Sequence, residues 1–273
     1  MQLPLTLLLG ALIGLVMGIT GAGGGVLAVP ALLFGLGLTM QQAAPVSMVG
    51  VAIAATVGTL AGLRHNLVRY RAAAAIAMAG WPFSALGVAL AHHAPDLALR
   101  GLFLAVLLLV AWRQRRATSS ADDELEPAPP ARLAHVDPAT GRFVWTPRAA
   151  AGFAGIGVVT GFVSGLLGVG GGFVLVPLLA RLTALGTAAM VGTSLMVTAL
   201  VTSFGAVSAA WQGAPVSWVL AGWFALALTG GLLAGRRLAH RLSERALHWA
   251  FFGLVVAVAL AMAIDLARRL LAG

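Results

Sequence analysis

The chain has 273 residues, of which 60% are hydrophobic and only 9% charged, and its mean hydropathy is +0.98. Because a soluble domain carries about 25% charged residues, this composition excludes one and predicts an all-α, polytopic transmembrane helical bundle. The net charge of +9 does not indicate nucleic-acid binding, since the basic residues are arginines and nearly all of them lie between apolar runs, as topology signals and lipid contacts do. The absence of cysteine excludes disulfides and thiolate chemistry.

Apolar runs follow one another along the chain. They lie at about 3–19, 26–38, 43–63, 72–91, 97–112, 149–167, 173–180, 186–210, 218–235 and 246–264. Several reach the roughly 20 residues that a helix needs to cross about 30 Å of hydrocarbon. The runs 26–38 and 173–180 are shorter and predict half-helices or tilted partial spans, so we expect about eight to ten full spans.

One hydrophilic stretch, residues 113–148, is rich in arginine, acidic residues and proline. Such a segment cannot form a packed core and predicts a mobile hydrophilic loop. It divides the chain into a first transmembrane repeat, 1–112, and a second transmembrane repeat, 149–273.

The same glycine-rich phrase occurs twice, at 18–30 and 165–177, at an offset of 147 positions. From residue 10 to residue 30, ten of 21 positions are identical at that offset, and most of them are glycines. Further on, Ser47 aligns with Ser194 at the same offset. The sequence therefore predicts two homologous halves that arose by internal duplication.

Three adjacent glycines interrupt each half, because a helix passes through such a run only at a high cost. The N–H groups that start the following helix lack partners, and the helix dipole adds partial positive charge there. Two such glycine-broken helices brought together would bind an anion without any full cation. The predicted glycine ligands are Gly23, Gly24, Gly25, Gly170, Gly171 and Gly172, and the structural prolines are Pro30 and Pro177. These prolines suit the first turn of the next helix, or mark kinks if the helix begins earlier.

Helix packing is the alternative role for the glycines. The spacing of four residues between Gly10, Gly14 and Gly18, and between Gly157, Gly161 and Gly165, is typical of close helix–helix contact. A triple glycine covers every face of a helix, so packing explains it less well.

Serine and threonine hydroxyls in the apolar segments are expected to complete the anion site. Ser47 and Ser194 rank first because they occupy equivalent places, and Thr193 directly precedes Ser194. The other candidates are Thr20, Thr56, Thr59, Ser164, Thr198 and Ser203. The alternative for each is a hydroxyl that bonds back to its own helix or to a neighbour.

Arginine placement indicates how the halves are oriented. With five segments in each half, the second half is an inverted repeat of the first. If the 113–148 loop lies inside, the arginine-bearing loops 64–71 and 236–245 also lie inside, and the uncharged loop 211–217 lies outside. Four parallel spans per half would instead place 236–245 outside. Inversion is therefore favoured, although an arginine pair near the C-terminus then lies outside.

Catalysis is not expected. No carboxylate lies in the middle of a span, no histidine spacing indicates a metal site, and no base accompanies a nucleophile. The sequence predicts no cofactor and no metal. The expected partners are a small anion as substrate, membrane lipid and a second copy in a homodimer, without nucleic acid.

The twin phrases at 18–30 and 165–177, with Thr193-Ser194 and its counterpart Val46-Ser47, resemble the TauE/SafE family of sulfite exporters, also called the toluene sulfonate uptake permease group. The resemblance covers almost the whole chain except 113–148. It implies a multi-pass transporter of the bacterial inner membrane that moves sulfite, organosulfonates or related small anions.

The functional hypothesis is thus alternating-access transport of a small anion, held at the paired glycine breaks. A passive anion channel, a membrane scaffold that does not transport and a cation or neutral-solute carrier are the alternatives.

Overall fold

A computed structural model of the protein describes residues 2–119, 146–183, 185–239 and 244–272. The helices are α1 Gln2–Thr20, α2 Ala28–Leu36, α3 Met40–Arg64, α4 Tyr70–His93, α5 Asp96–Ser119, α6 Pro147–Leu167, α7 Gly172–Leu182, α8 Thr187–Trp211, α9 Trp218–Ala239 and α10 Glu244–Ala272. A 3-10 helix, Gly21–Leu27, joins α1 to α2. Within these ranges the regular structure is helical, which confirms the all-α prediction.

Helix lengths match a membrane protein. Seven of the described helices are long and apolar enough to cross a bilayer, namely α1, α3, α4, α6, α8, α9 and α10. By contrast, α2 has nine residues and α7 has 11, so at about 1.5 Å per residue each spans about half of the hydrocarbon. These two short helices begin within the glycine phrases, at or shortly after the triple glycine.

The hydrophilic loop begins later than expected. Helix α5 continues to Ser119, seven residues into the predicted loop 113–148, because arginine, glutamine and alanine at 113–117 are good helix formers. At the other end, α6 already begins at Pro147, where the Thr146 hydroxyl caps the helix by accepting from the Ala149 N–H at 3.1 Å. The rest of the predicted loop lies outside the described residues.

Helix pairs repeat when the two halves are exchanged. Helix α1 packs along α9, and its counterpart α6 packs along α4. Helices α3 and α8 lie against each other at the centre, and α5 packs against α10. The bundle therefore interleaves the halves, so that each half completes the packing of the other.

Glycines bring the two long pairs into backbone contact. A Cβ on Gly14 would overlap the carbonyl oxygen of Leu228 in α9, and a Cβ on Gly161 would overlap that of Gly80 in α4. These are the glycines whose spacing predicts packing. These glycines allow the helices to approach closely. The resulting van der Waals packing stabilises the helix pairs in lipid, where the hydrophobic effect contributes little to helix association.

A buried ion network ties α5 to its neighbours. Arg100 is 3% exposed and donates to Asp96 and, at 2.8 Å, to Asp265 of α10. Asp96 also accepts the N–H of Met40 at 2.7 Å, at the start of α3. This pairing of Asp265 with Arg100 was not anticipated from the sequence.

We expect Gly161→Ala to destabilise the fold, because the new Cβ would overlap the Gly80 carbonyl oxygen between α4 and α6. Overpacking of this kind costs about 1–3 kcal/mol. Gly155→Ala on the same helix is the matched control, since a Cβ there meets nothing within 4 Å. Thermal unfolding in detergent measures both variants, and equal melting temperatures would contradict this packing.

Asp265→Asn should destabilise the protein, because Arg100 would lose one of its two charge partners in a buried setting. Breaking a buried pair costs about 3–5 kcal/mol, and the remaining Asp96 should hold the loss below that range. Arg269→Gln is the control, since that side chain is 50% exposed and its pairing with Asp265 contributes little. A larger loss in the control would refute a structural role for the buried pair.

Candidate functional site

The first glycine stretch, residues 21–25, continues the helix. The chain passes from α1 directly into the 3-10 helix, and Gly21 is the residue there with a positive φ, 79°. A 3-10 helix bonds each N–H to the carbonyl three residues earlier, so most amides of this stretch have partners. Gly24 packs against the backbone of Met17. Pro30 lies in the first turn of α2, as expected.

The second glycine stretch, residues 168–172, is open. Helix α6 ends at Leu167, and Gly168, Gly170 and Gly171 have φ values of 74°, 82° and 63°, which glycine alone adopts cheaply. Among the described residues, the N–H groups of Val169, Gly170 and Gly171 donate to no acceptor. All of residues 167–173 are buried. The sequence phrase is shared, but here it produces unpaired backbone donors.

Helix α7 starts at this point. Its N-cap is Gly171, and Pro177 lies inside the helix, not in its first turn. The N–H groups that open an α-helix have no partner within it, and the helix dipole adds partial positive charge. The N–H groups of Gly172 and Phe173 therefore add donors to those of the glycine stretch, whereas Val174 and Leu175 donate to the Gly171 carbonyl.

Five buried hydroxyls without hydrogen-bond partners lie on the helices that pack around the second stretch. Each belongs to a fully buried residue, and they are Ser47, Ser84, Thr160, Ser164 and Thr198. The methyl group of Thr160 packs at Gly171, and that of Thr198 packs at Gly170. Ser164 follows Thr160 by one helical turn. Such buried hydroxyls are normally bonded, so this cluster needs an explanation.

Helices α3 and α4 bring the remaining two hydroxyls. Ala44 contacts Gly168 and Val51 contacts Gly170, so Ser47 lies between them on the same face of α3. Ser84 of α4 packs its backbone against Gly165, just before the end of α6, while its hydroxyl oxygen lies 3.0 Å from where a Cβ on Gly205 of α8 would be. Four helices thus supply the hydroxyl cluster, which we define as these five residues.

Four of the five cluster residues have apolar counterparts at the first glycine stretch. Gly157 of α6 contacts Ile76 of α4, and its counterpart Gly10 of α1 contacts Phe224 of α9. Ile76 therefore corresponds to Phe224, so residues of α4 align with those of α9 at an offset of 148. Elsewhere the offset is 147. The counterparts are Ile13 for Thr160, Met17 for Ser164, Val51 for Thr198 and Leu232 for Ser84. Both glycine stretches therefore share their glycines, whereas the unpaired hydroxyls are associated with the second stretch alone.

The predicted hydroxyl ligands differ in availability. Ser47 is unpaired, whereas its counterpart Ser194 donates to the Val191 carbonyl at 2.9 Å. Thr193 accepts the N–H of Arg69 at 3.1 Å and so fixes the loop before α4. A role of these residues as substrate ligands, and of Gly23, Gly24 and Gly25, stays a prediction.

The two glycine stretches meet in the centre of the bundle. A Cβ on Gly25 would lie 3.0 Å from the carbonyl oxygen of Val169, and Val51 contacts both Gly25 and Gly170. Ser84 and Thr160 were missed in the sequence. Each of these two residues carries a hydroxyl within an apolar span, while its counterpart residue in the other half is apolar. That difference is the sequence signal that could have identified them.

A cavity of about 30 Å³ borders this region. It lies where α3 begins and α4 and α8 end, and Ala44, Met48, Val88 and Gly165 are among its lining residues. Ala44 also contacts Gly168. The volume admits about two water molecules. One lining residue of this small cavity, Ala44, thus packs against the second glycine stretch.

A helical membrane bundle of two related halves, with short helices and polar groups at its centre, is the architecture of a membrane transporter. The sequence matches the family described as Sulfite exporter TauE/SafE over residues 6–262, and the chain belongs to this family. It is 30% identical to a "Probable membrane transporter protein" of Xylella fastidiosa (strain Temecula1), covering 92% of this chain and 91% of the relative. It is also 26% identical to "Probable membrane transporter protein YunE" of Bacillus subtilis, covering 90% of each. No solved structure matches the chain.

Thr198→Val should leave the melting temperature of the ligand-free protein unchanged or raise it, because the lost hydroxyl has no partner. Thr193→Val on the same helix should lower the unfolding free energy by about 1–3 kcal/mol, because the Arg69 N–H loses its acceptor. Thermal unfolding without added anions compares the two. A large loss of stability in Thr198→Val would mean that its hydroxyl is bonded after all.

Proposed function

We propose that the protein transports a small anion, with sulfite or an organosulfonate as the substrate, across a bacterial inner membrane by alternating access. The observation that carries this proposal is the set of unpaired donors at the second glycine stretch. Leaving a buried donor unsatisfied costs about 1–3 kcal/mol, so a ligand rich in acceptor oxygens would be stabilised there. We place the binding centre at Gly170, Gly171 and Gly172 with the hydroxyl cluster.

The chemistry of these donors favours an anion. Amide N–H groups at the start of α7 present partial positive charge, and hydroxyls donate as well as accept. Within the described ranges, no group of three or more histidine or acidic residues could hold a metal ion. A cation would thus meet only carbonyls and hydroxyls, whereas an oxyanion meets both kinds of donor.

Neutral donors also favour a single negative charge. Each donor replaces a bond to water, but none supplies a full positive charge, and a second negative charge would add a large desolvation cost. A monoanion with several oxygens, such as hydrogen sulfite or an organosulfonate, fits this balance. The family description names sulfite, and the two relatives are named only as transporters.

Helix direction supports two inverted halves. Residue numbers at successive contacts increase along both α1 and α9, so these two helices run in the same direction. The contacts between α3 and α9 show the same trend, so α3 runs in that direction as well. The contacts are Gly14 with Leu228, Gly18 with Leu232, Gly50 with Phe224 and Gly58 with Arg236.

The counterparts of these helices run in the opposite direction. At successive contacts between α3 and α8, the residue numbers decrease in α8 as they increase in α3, so these two helices are antiparallel. Helix α4 runs in the same direction as α8 and α6. The contacts are Met48 with Gly205 and Gly62 with Gly192, Trp81 with Phe204 and Ala85 with Gln212, and Ile76 with Gly157 and Ser84 with Gly165. Inverted halves are the arrangement on which alternating access is built.

Binding can be tested by thermal unfolding of the purified protein, with tryptophan fluorescence as the readout. Sulfite and methanesulfonate should raise the melting temperature, and the sulfate dianion should do so less. Thr198→Val and Ser164→Ala should weaken monoanion binding about tenfold or more, since a hydrogen bond to a charged group contributes about 1.5–3 kcal/mol. Thr59→Val is the control, because that buried hydroxyl is bonded to the Ala55 carbonyl at 2.7 Å.

Flux in proteoliposomes decides between transport and passive conduction. A carrier coupled to a second gradient accumulates methanesulfonate above its external concentration, which a channel cannot do. The anion site would be refuted if the protein bound neither sulfite nor methanesulfonate. It would also be refuted if the affinity were unchanged in both Thr198→Val and Ser164→Ala.

A further inference from the structure

Pseudo-symmetry relates the cavity to a second place in the bundle, at the opposite end. At the offset of 148, the cavity residue Val88 corresponds to Arg236 of α9. Met48, which also lines the cavity, corresponds to Leu195 at the offset of 147. A short apolar side chain at one end is therefore matched by a long cationic one at the other.

Arg236 reaches across this second place. Its Nη1 donates to the carbonyl oxygen of Gly58 in α3 at 2.8 Å, and its Nη2 lies 3.7 Å from where a Cβ on Gly58 would be. Leu195 lies beside the same glycine, 3.3 Å from that position. The Arg236 side chain thus spans the gap between α9 and α3 where the other half has open volume.

The bond to Gly58 is a weak use of a guanidinium. Inside α3 that carbonyl already serves as a helical acceptor, and it carries no charge. An oxyanion accepts from arginine through charge-assisted hydrogen bonds that are roughly twice as strong as neutral ones. An anion that arrives at this end would therefore compete well for Arg236.

We propose that Arg236 is a second anion-binding group of the transport path, and that its bond to Gly58 closes the arginine-rich end in this conformation. The arginine-rich end is the end with Arg64, Arg69 and Arg236, opposite the cavity. The inference rests on the proposed function, because it assigns Arg236 to the same path. The hydroxyl cluster binds the anion centrally, and Arg236 binds it at this one end.

Accessibility of single cysteines tests the closure directly, since the natural chain contains no cysteine. The reporters are Met48→Cys at the cavity and Leu195→Cys at its counterpart, probed with a membrane-impermeant maleimide in vesicles of both orientations. Met48→Cys should react from the cavity end. Leu195→Cys should react at least tenfold more slowly from the arginine-rich end while Arg236 is present.

Arg236→Val introduces at position 236 the residue type of its cavity counterpart, Val88. It should raise the labelling rate of Leu195→Cys from the arginine-rich end about tenfold. Arg236→Lys should raise it less, because a lysine still reaches toward the carbonyl. Fast labelling with Arg236 intact, or slow labelling in Arg236→Val, would overturn the closure. This measurement needs no substrate, so an error in the proposed substrate would not change it.

Binding by Arg236 is tested by the side dependence of methanesulfonate uptake, a probe that does not react with thiols. In Arg236→Gln, the half-saturation concentration should rise about tenfold for uptake from the arginine-rich end and less than twofold from the cavity end. Arg236→Lys should restore most of the loss. Equal changes from both ends would show a structural effect and overturn the binding role, whereas no uptake by the natural protein would contradict the proposed function itself.

Discussion

Backbone hydrogen bonding at membrane depth is the constraint on which this structure depends. Hydrocarbon offers no water, so a chain that leaves its helix there must find other partners for each N–H. Residues 21–25 meet the constraint by continuing into a 3-10 helix, whereas residues 168–172 leave three amides unpaired. The second stretch lies enclosed among four helices, where a bound solute rather than lipid can satisfy it.

The same glycine phrase folds in two ways because its surroundings differ. In the first half, the buried apolar residues Ile13 and Met17 stand at the equivalent positions, and Gly24 packs on the Met17 backbone. In the second half the equivalent side chains are the smaller and polar Thr160 and Ser164, and the chain opens into left-handed glycine conformations. Backbone flexibility is thus common to both halves, while the side chains packed around each stretch distinguish an open site from a closed one.

Composition and periodicity predicted the helical membrane class, and the short segments α2 and α7 begin at or shortly after the triple glycines, as expected. The repeat also located the second glycine stretch and Ser47. The unequal availability of Ser47 and Ser194 could not be predicted, because hydrogen-bond partners such as the Val191 carbonyl depend on local helix packing. Ser84 and Thr160 were hidden for a similar reason: a single hydroxyl in an apolar span becomes informative only when its neighbours across the bundle are known.

A site of neutral donors suits a carrier that must release what it binds. At about 4 Å and an effective dielectric constant near 20, an arginine beside the anion would add about 4 kcal/mol, or roughly a thousandfold in affinity. Such a charge at the centre would hold the anion through the transport cycle. The structure instead has amides and hydroxyls at the second glycine stretch, and it places the Arg236 guanidinium toward the end of the bundle, at Gly58. In the proposed transport path, a transient charge–charge contact at that end would draw an anion inward without trapping it midway.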